Sequence, residues 1–466
     1  MSVIAKIKGL LNKDPERIKN YFVVSGLRLL EVGINLVRDI ALSTYYGLTT
    51  FLDSYFVTLH LSDISKAYFK QMSYGILLPF YNEKASQDES TATPEQNDLM
   101  VVFLNYMMLG TLIASVIAMF NTHWLANILA PGLSGKPDSF LTELLFIALP
   151  LSVLFSTSSA LRVVVVQQKK FAFFHLPMII SIVAFILFFL AFKETLGYYA
   201  VIWALPLAGL IQYILFFAVL KVKWKFLWRV PETDAILRML IPYSLTYIFY
   251  ELMIPVDNYF LSLLPDGELS GFRFANKIVT VISTLTVFSM QITLIPALML
   301  SGSQRNWPEM KKLLGKGVIE CVLVSLPIIV LAWFVAPYVV PVIFEHGAFS
   351  KQNSELVTFC FKILVLELPY YALWMVLLRC YNSLFLLKPL MWIGVLTLLS
   401  RIILDWVGLH YWGITGMAWM YVVQHYLVIA MLVGVLFYLI AQNKVDHLSN
   451  QEMAVHQKRG ANNTDI

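Results

Sequence analysis

Arg38 is followed at once by Asp39, and Lys66 stands 13 residues beyond Asp53, roughly 20 Å further along a helix axis. Asp63 precedes Lys66 by three residues and Lys70 follows it by one turn, so the three share a helix face. Ser270, Arg273 and Lys277 recur at three- and four-residue steps, the spacing of a polar stripe on one helix. Cations set in this way, with too few adjacent carboxylates to neutralise them, attract an anion. A lipid diphosphate suits them, because Arg and Lys clamp the phosphates while a polyprenyl tail stays in hydrocarbon. The competing reading is structural pairing, of Arg38 with Asp39 or Asp53 and of Lys66 with Asp63. Arg401 and Asp405 lie one turn apart, with Asp257 as a third candidate member of that group. Glu251 and Glu367 are isolated acids, each read as a satisfied structural carboxylate before a proton relay.

The elements that carry these groups must lie in lipid. Of 466 residues, 59% are hydrophobic and only 14% charged. Mean hydropathy is +0.71, and a soluble protein carries roughly 25% charged residues. Such a chain cannot cover its surface with polar groups. A membrane helix needs about 20 apolar residues, and about twelve such stretches can be read: 19–47, 51–80, 98–121, 139–166, 171–192, 196–220, 234–264, 268–300, 314–344, 354–384, 388–408 and 411–441. Barrel strands, at about ten alternating residues, are excluded. The expected fold is therefore an all-α polytopic membrane protein, with about twelve helices in two six-helix bundles around a central cavity. An ionisable group inside such a span costs several kcal/mol unless paired or wet, so each one above is a functional candidate by default.

Lys and Arg in the loops set the orientation. About 21 fall on the side of the N-terminus, against three on the other (Lys136, Lys193, Lys351), so both termini are expected in the cytoplasm. Residues 1–18 read as a basic cytoplasmic lead without a small-residue cleavage site. The spans 19–220 form an N-terminal bundle, 221–238 a basic cytoplasmic linker, 239–441 a C-terminal bundle, and 442–466 a polar, disordered tail. A short internal echo, LDSYFV (52–57) against VDNYFL (256–261), fits two repeats. Prolines at 242, 255, 327, 337, 341 and 369 read as kinks or hinges. The net charge of +5 is too small to imply nucleic acid, and Cys321, Cys360 and Cys380 lie in apolar segments, so no disulfide framework is expected. No phosphate loop, HExxH, CxxC or nucleophile elbow occurs, so neither an enzyme, a cofactor nor a metal site is expected.

The stretch VRDIALSTYYGLTTFLDSYFVTLHLSDISKAYFKQMSYGILLPFY (37–81) resembles the first two helices of MurJ-type lipid II flippases, within the multidrug/oligosaccharidyl-lipid/polysaccharide exporter superfamily. An Arg-Asp pair, a Gly and an Asp-aromatic-aromatic segment recur there in this order. VDNYFLSLLPDGELSGFRFANKI (256–278) is similar to the family's seventh-to-eighth helix junction, and ILAPGLS (128–134), FEHGAFS (344–350) and LPYYALWMVLLR (368–379) add family-like punctuation. The resemblance implies that Arg38 is a central-cavity arginine and that Asp53 is the acid near the outer end of the second helix. It places Lys66 and Lys277 where the family usually has functional arginines, and Ser270 on an upstream serine. These lysines keep the charge and lose bidentate phosphate contact. Other departures are Val32 for a frequent arginine, Gln71 for a glutamate, Arg401 where some members have a neutral residue of a cation site, and twelve spans for a common fourteen.

The implied activity is translocation of a polyprenyl-diphosphate-linked saccharide across the bacterial cytoplasmic membrane by alternating access, with a lipid II-like precursor favoured. Arg38, Lys66 and Lys277 are expected to bind the diphosphate, assisted by Ser270 and Arg273. Three alternatives stay open: an O-antigen, capsule or exopolysaccharide repeat-unit flippase; a cation-coupled multidrug exporter, which needs cavity carboxylates; and a scaffold whose buried charges are purely structural. Oligomeric state and coupling ion are not legible.

Overall fold

A computed structural model of the chain describes residues 15–84, 92–304, 306–384, 386–442 and 445. The lead call at 1–18 falls mostly, and the tail call at 442–466 almost wholly, outside them. Among the described residues there are helices and no strands, as the span lengths require. In chain order they are α1 (Pro15–Tyr46), α2 (Thr50–Met72), α3 (Leu78–Glu83), α4 (Pro94–Met119), α5 (Thr122–Leu129), α6 (Leu141–Gln167), α7 (Leu176–Leu196) and α8 (Tyr198–Leu220). They continue as α9 (Thr233–Glu251), α10 (Met253–Leu261), α11 (Glu268–Ser303), α12 (Trp307–Phe344), α13 (Lys351–Leu364), α14 (Leu368–Ser383) and α15 (Leu387–Ala441). Seven helices among the described residues are long and apolar enough to cross a membrane. Helices α1 and α2 are not among them, since each carries several charged residues along its length.

Local chemistry explains the breaks. Pro255 has no N–H for the carbonyl of Glu251, and the expected seventh span divides there into α9 and α10. Pro369 likewise leaves Val365 without its fourth-residue donor, and Val365–Glu367 tightens into a 3-10 turn between α13 and α14. The 55 residues of α15 are two helices meeting at Gly413, whose φ of 57° and ψ of −133° suit glycine alone. By contrast, Pro327, Pro337 and Pro341 sit inside a continuous α12. A π-helical turn, Ser73–Leu77, follows α2.

Helix α12 shows what solvent the fold expects. Its Leu323, Phe334 and Tyr338 are 67%, 68% and 75% exposed, an apolar face that only lipid can cover. The three cysteines are buried thiols.

The chain forms two compact units. Unit one comprises the described residues of Met1–Asp39, Ser65–Phe120 and Leu145–Ile236; unit two comprises those of Ile40–Ile64, Asn121–Leu144 and Leu237–Ile466. In unit one the basic stretch 221–230 is strapped onto α4 rather than left loose. The Asn97 side chain pairs with both backbone groups of Lys223 (3.0 and 3.1 Å), Asn105 Nδ2 donates to the Leu227 carbonyl (2.7 Å), and Lys225 meets Asp98 at 2.8 Å. Unit two has an apolar core that includes Leu298, Met310, Tyr381, Leu390 and Leu432.

Candidate functional site

Within unit one, Arg38 takes the adjacent partner. Its Nε and Nη2 both donate to Asp39 Oδ1, at 2.9 and 2.7 Å, and its guanidinium lies 5.8 Å from the Phe185 ring centre. Both residues are buried, and the two bonds fix the guanidinium on Asp39. Lys66 is half-buried with its ammonium 4.3 Å from the Phe155 ring centre, where the ring quadrupole attracts it. Ser159 Oγ donates to the Lys66 carbonyl at 2.7 Å, tying α2 to α6 at that level.

Unit one also holds a charged knot that the sequence reading did not single out. Glu31 of α1, 3% exposed, accepts from Arg28 Nη1 at 3.1 Å and from Arg162 Nη2 of α6 at 3.3 Å, and it contacts His175 Nδ1 just before α7. Arg162 lies 4.1 Å from the Phe174 ring centre. Glu31 and Arg162 stand inside expected spans, so the cost of lone charges in lipid was the signal available.

Within unit two, Asp53 goes elsewhere than to Arg38. Its Oδ2 accepts from the Gly267 N–H at 2.8 Å and its Oδ1 from the Ser270 N–H at 2.7 Å. The carboxylate therefore caps the first turn of α11, satisfying donors that a helix start leaves open and meeting the positive end of its dipole. Ser270 is brought to Asp53 through its backbone, and its hydroxyl donates to the Gly267 carbonyl at 3.1 Å. Three more contacts join the same loops. Lys136 pairs with Asp266, Gly132 N–H donates to Ser262 Oγ at 3.3 Å, and Ala348 N–H donates to the Thr44 carbonyl at 2.8 Å. Glycine is needed for such approach: a Cβ on Gly132 would stand 1.8 Å from the Ser262 carbonyl oxygen, and one on Gly347 2.2 Å from that of Thr44.

One turn along α11, Arg273 donates from Nη2 to Asn258 Oδ1 at 2.6 Å and lies 3.8 Å from Asp257. Asp257 is shared: its Oδ1 accepts from Arg401 Nε at 2.5 Å, and the same Nε lies 3.1 Å from Asp405. Arg401 is 2% exposed and lies 4.3 Å from the Tyr421 ring centre. Two guanidinium groups thus face two carboxylates across α10, α11 and α15, a charge-balanced knot in which no member can be removed without leaving a buried charge uncompensated. Lys277, one turn beyond Arg273, is half-buried, and both cations act electrostatically on the His60 ring of α2. Of the site residues expected from the sequence, Asp53 is brought to Ser270, and Arg273 to the Asp257–Arg401–Asp405 group. Arg38 and Lys66 belong to unit one and Lys277 to unit two.

Comparison with known proteins identifies the family and the fold. Residues 42–460 match the family described as lipid II flippase MurJ. A probable lipid II flippase MurJ of Buchnera aphidicola subsp. Acyrthosiphon pisum is 25% identical over 345 residues, covering 72% of this chain and 66% of that protein. The lipid II flippase MurJ of Burkholderia cenocepacia is 21% identical, covering 72% of this chain and 67% of its own length. The alignments thus span about two thirds of those relatives. Among solved structures, a lipid II flippase MurJ in an inward closed conformation shares the fold with a TM-score of 0.73 at 18% identity, over 96% of this chain and 93% of that one. An inward-facing multidrug resistance transporter of the MATE family gives 0.68 at 11% identity, over 90% and 96%. By the match over 42–460, the chain belongs to the lipid II flippase MurJ family.

Proposed function

We propose that this protein flips a polyprenyl-diphosphate-linked saccharide, a lipid II-like peptidoglycan precursor first among them, from the inner to the outer leaflet of the cytoplasmic membrane. The family match carries the reading. The chain is a transporter rather than an enzyme, embedded in the bilayer by many passes with both termini in the cytoplasm.

In this reading the protein works by alternating access, and Arg38, Lys66 and Lys277 bind the diphosphate. Three cations suit a group that carries two phosphates, and a water-poor cavity strengthens each contact. Asp39 keeps Arg38 from swinging away, and Phe155 does the same for Lys66. The loops after α1, α5, α10 and α12 all fall on the outer side of the expected topology. Their contacts through Asp53, Gly132, Lys136 and Gly347 then act as a clasp on that side, which opens to release the head group. Ser270 serves this clasp, and Arg273 with Arg401 keeps α11 rigid behind it.

The test is a flipping assay with purified protein in vesicles and defined polyprenyl-diphosphate glycans. Appearance of lipid II in the outer leaflet, with loss of the signal in Lys66→Ala and Lys277→Ala, is the expected result. Full activity of both variants, or no movement of any such lipid, rejects the reading. Val32 and Gln71 favour a second possibility, a flippase for a different glycan on the same carrier, which the same assay separates by head group.

A further inference from the structure

Glu367 is fully buried in the 3-10 turn Val365–Glu367, about midway between Lys351 and Ser383. Its Oε2 lies 2.7 Å from His425 Nδ1 of α15, and its Oε1 accepts from Tyr371 OH at 3.1 Å. Neither Glu367 Oε2 nor His425 Nδ1 makes a hydrogen bond, so the two atoms are close without one. Buried polar atoms left in that state are uncommon and call for a functional account. His425 stacks on Tyr370 with centres 4.0 Å apart and planes at 11°, while 11% of its side chain stays open.

Among the described residues, no second cation is recorded against the carboxylate. Helix α14 supplies Tyr370 and Tyr371, α15 supplies Tyr421 and Tyr426, and α12 supplies Cys321, whose thiol donates to the Pro369 carbonyl at 3.3 Å. Thr280 of α11 reaches Tyr371. Lys362 of α13 is held 4.9 Å over the Trp333 ring instead. Arg401, beyond Tyr421, is balanced with Arg273 against Asp257 and Asp405. Among the described residues, the charge of this pair is then zero with an imidazolium and minus one without. Moreover, α15 grips the break twice in succession, with His425 on the Glu367 side chain and Tyr426 OH on the Leu366 carbonyl at 2.6 Å. The acid–histidine contact and the helix break therefore meet at one point.

We propose that Glu367 and His425 form a proton-binding site, and that loading and discharge of one proton there loosens and resets the break between α13 and α14 during transport. The proton adds to Nε2, at the imidazole edge away from Glu367, giving an imidazolium beside a carboxylate. Discharge leaves the buried carboxylate uncompensated, which favours a rearranged break. An intramembrane acid facing a histidine across a helix discontinuity has the composition of a proton relay. The ligand is the proton itself, and the coupling half of the proposal rests on the flippase reading.

Two measurements on the full-length protein test it. Nitrogen-15 histidine spectra without substrate, recorded as pH is varied and assigned by subtraction of His425→Gln, should show His425 gaining and losing a proton. Glu367→Gln, which keeps shape and the Tyr371 bond, should lower its proton affinity by about tenfold or more. A His425 that does not titrate, or titrates unchanged in Glu367→Gln, overturns the site. In vesicles, reversing a pH gradient should change the wild-type flipping rate several-fold and leave both variants indifferent; a wild type indifferent to the gradient overturns the coupling. Should the wild type flip no lipid at all, the flippase reading fails while the spectra still decide the proton site.

Discussion

Replacing Asp53 by Asn separates charge from shape at the start of α11. The carboxylate accepts two backbone N–H groups at 2.8 and 2.7 Å in a site 2% exposed. Hydrogen bonds to a charged group contribute about 1.5–3 kcal/mol each, and an anion at a helix N-terminus adds about 0.3–1 kcal/mol. An amide can keep one bond through its oxygen, but its NH2 then opposes the other backbone N–H. The net loss is about 2–4 kcal/mol, or about 30- to 900-fold in the closed-to-open ratio of this contact. Hydrogen exchange read by mass spectrometry on the peptide holding Gly267–Ser270 reports that ratio, because both amides are protected only while Asp53 accepts from them. Protection should fall by that factor in Asp53→Asn, with regions remote from the loop unchanged. Exchange that stays within about threefold of the wild type would show that the cap does not hold this end of α11.

Other consequences are more direct. Arg401→Met leaves Asp257 and Asp405 buried without their shared cation and should destabilise unit two by about 3–5 kcal/mol; thermal unfolding in detergent will show it, whereas Arg28→Met, at a 43%-exposed side chain, should cost little. Gly132→Ala and Gly347→Ala force a Cβ to 1.8 and 2.2 Å from carbonyl oxygens, so exchange at Gly267–Ser270 should rise in both without the charge change of Asp53→Asn. Lys66→Arg should keep flipping within several-fold of the wild type while Lys66→Ala abolishes it, as a phosphate clamp requires. Asn105→Ala should free the 221–230 strap, read as faster trypsin cleavage there.

Several features of the site can be read directly from the chain. The one-turn spacing of Arg401 and Asp405 allows the contact they make, whereas the choice of Asp39 over Asp53 as partner of Arg38 is left open by the sequence. Pro255 and Pro369 coincide with helix breaks, each removing the N–H due to the residue four positions back; Pro327, Pro337 and Pro341 do the same inside a continuous α12, so the sequence does not say which proline interrupts its helix. The Asp53 acceptor could not be paired in advance. Its partners are backbone amides 214 and 217 residues away, and a backbone donor leaves no mark in sequence. Glu31 has partners 131 and 144 residues distant, and Glu367, isolated along the chain, meets His425 only because α14 packs on α15.

Composition and span length decided on their own that the protein is helical and lives in lipid, and the order of short motifs carried the family. These are sums over local residues, since transfer from water and the helical repeat depend on each segment by itself. Which buried charge faces which was decided by tertiary packing. In a low-dielectric interior every ion must find a counter-charge or a donor, and several candidates of suitable sign exist; only the docking of helices far apart in the chain selects among them.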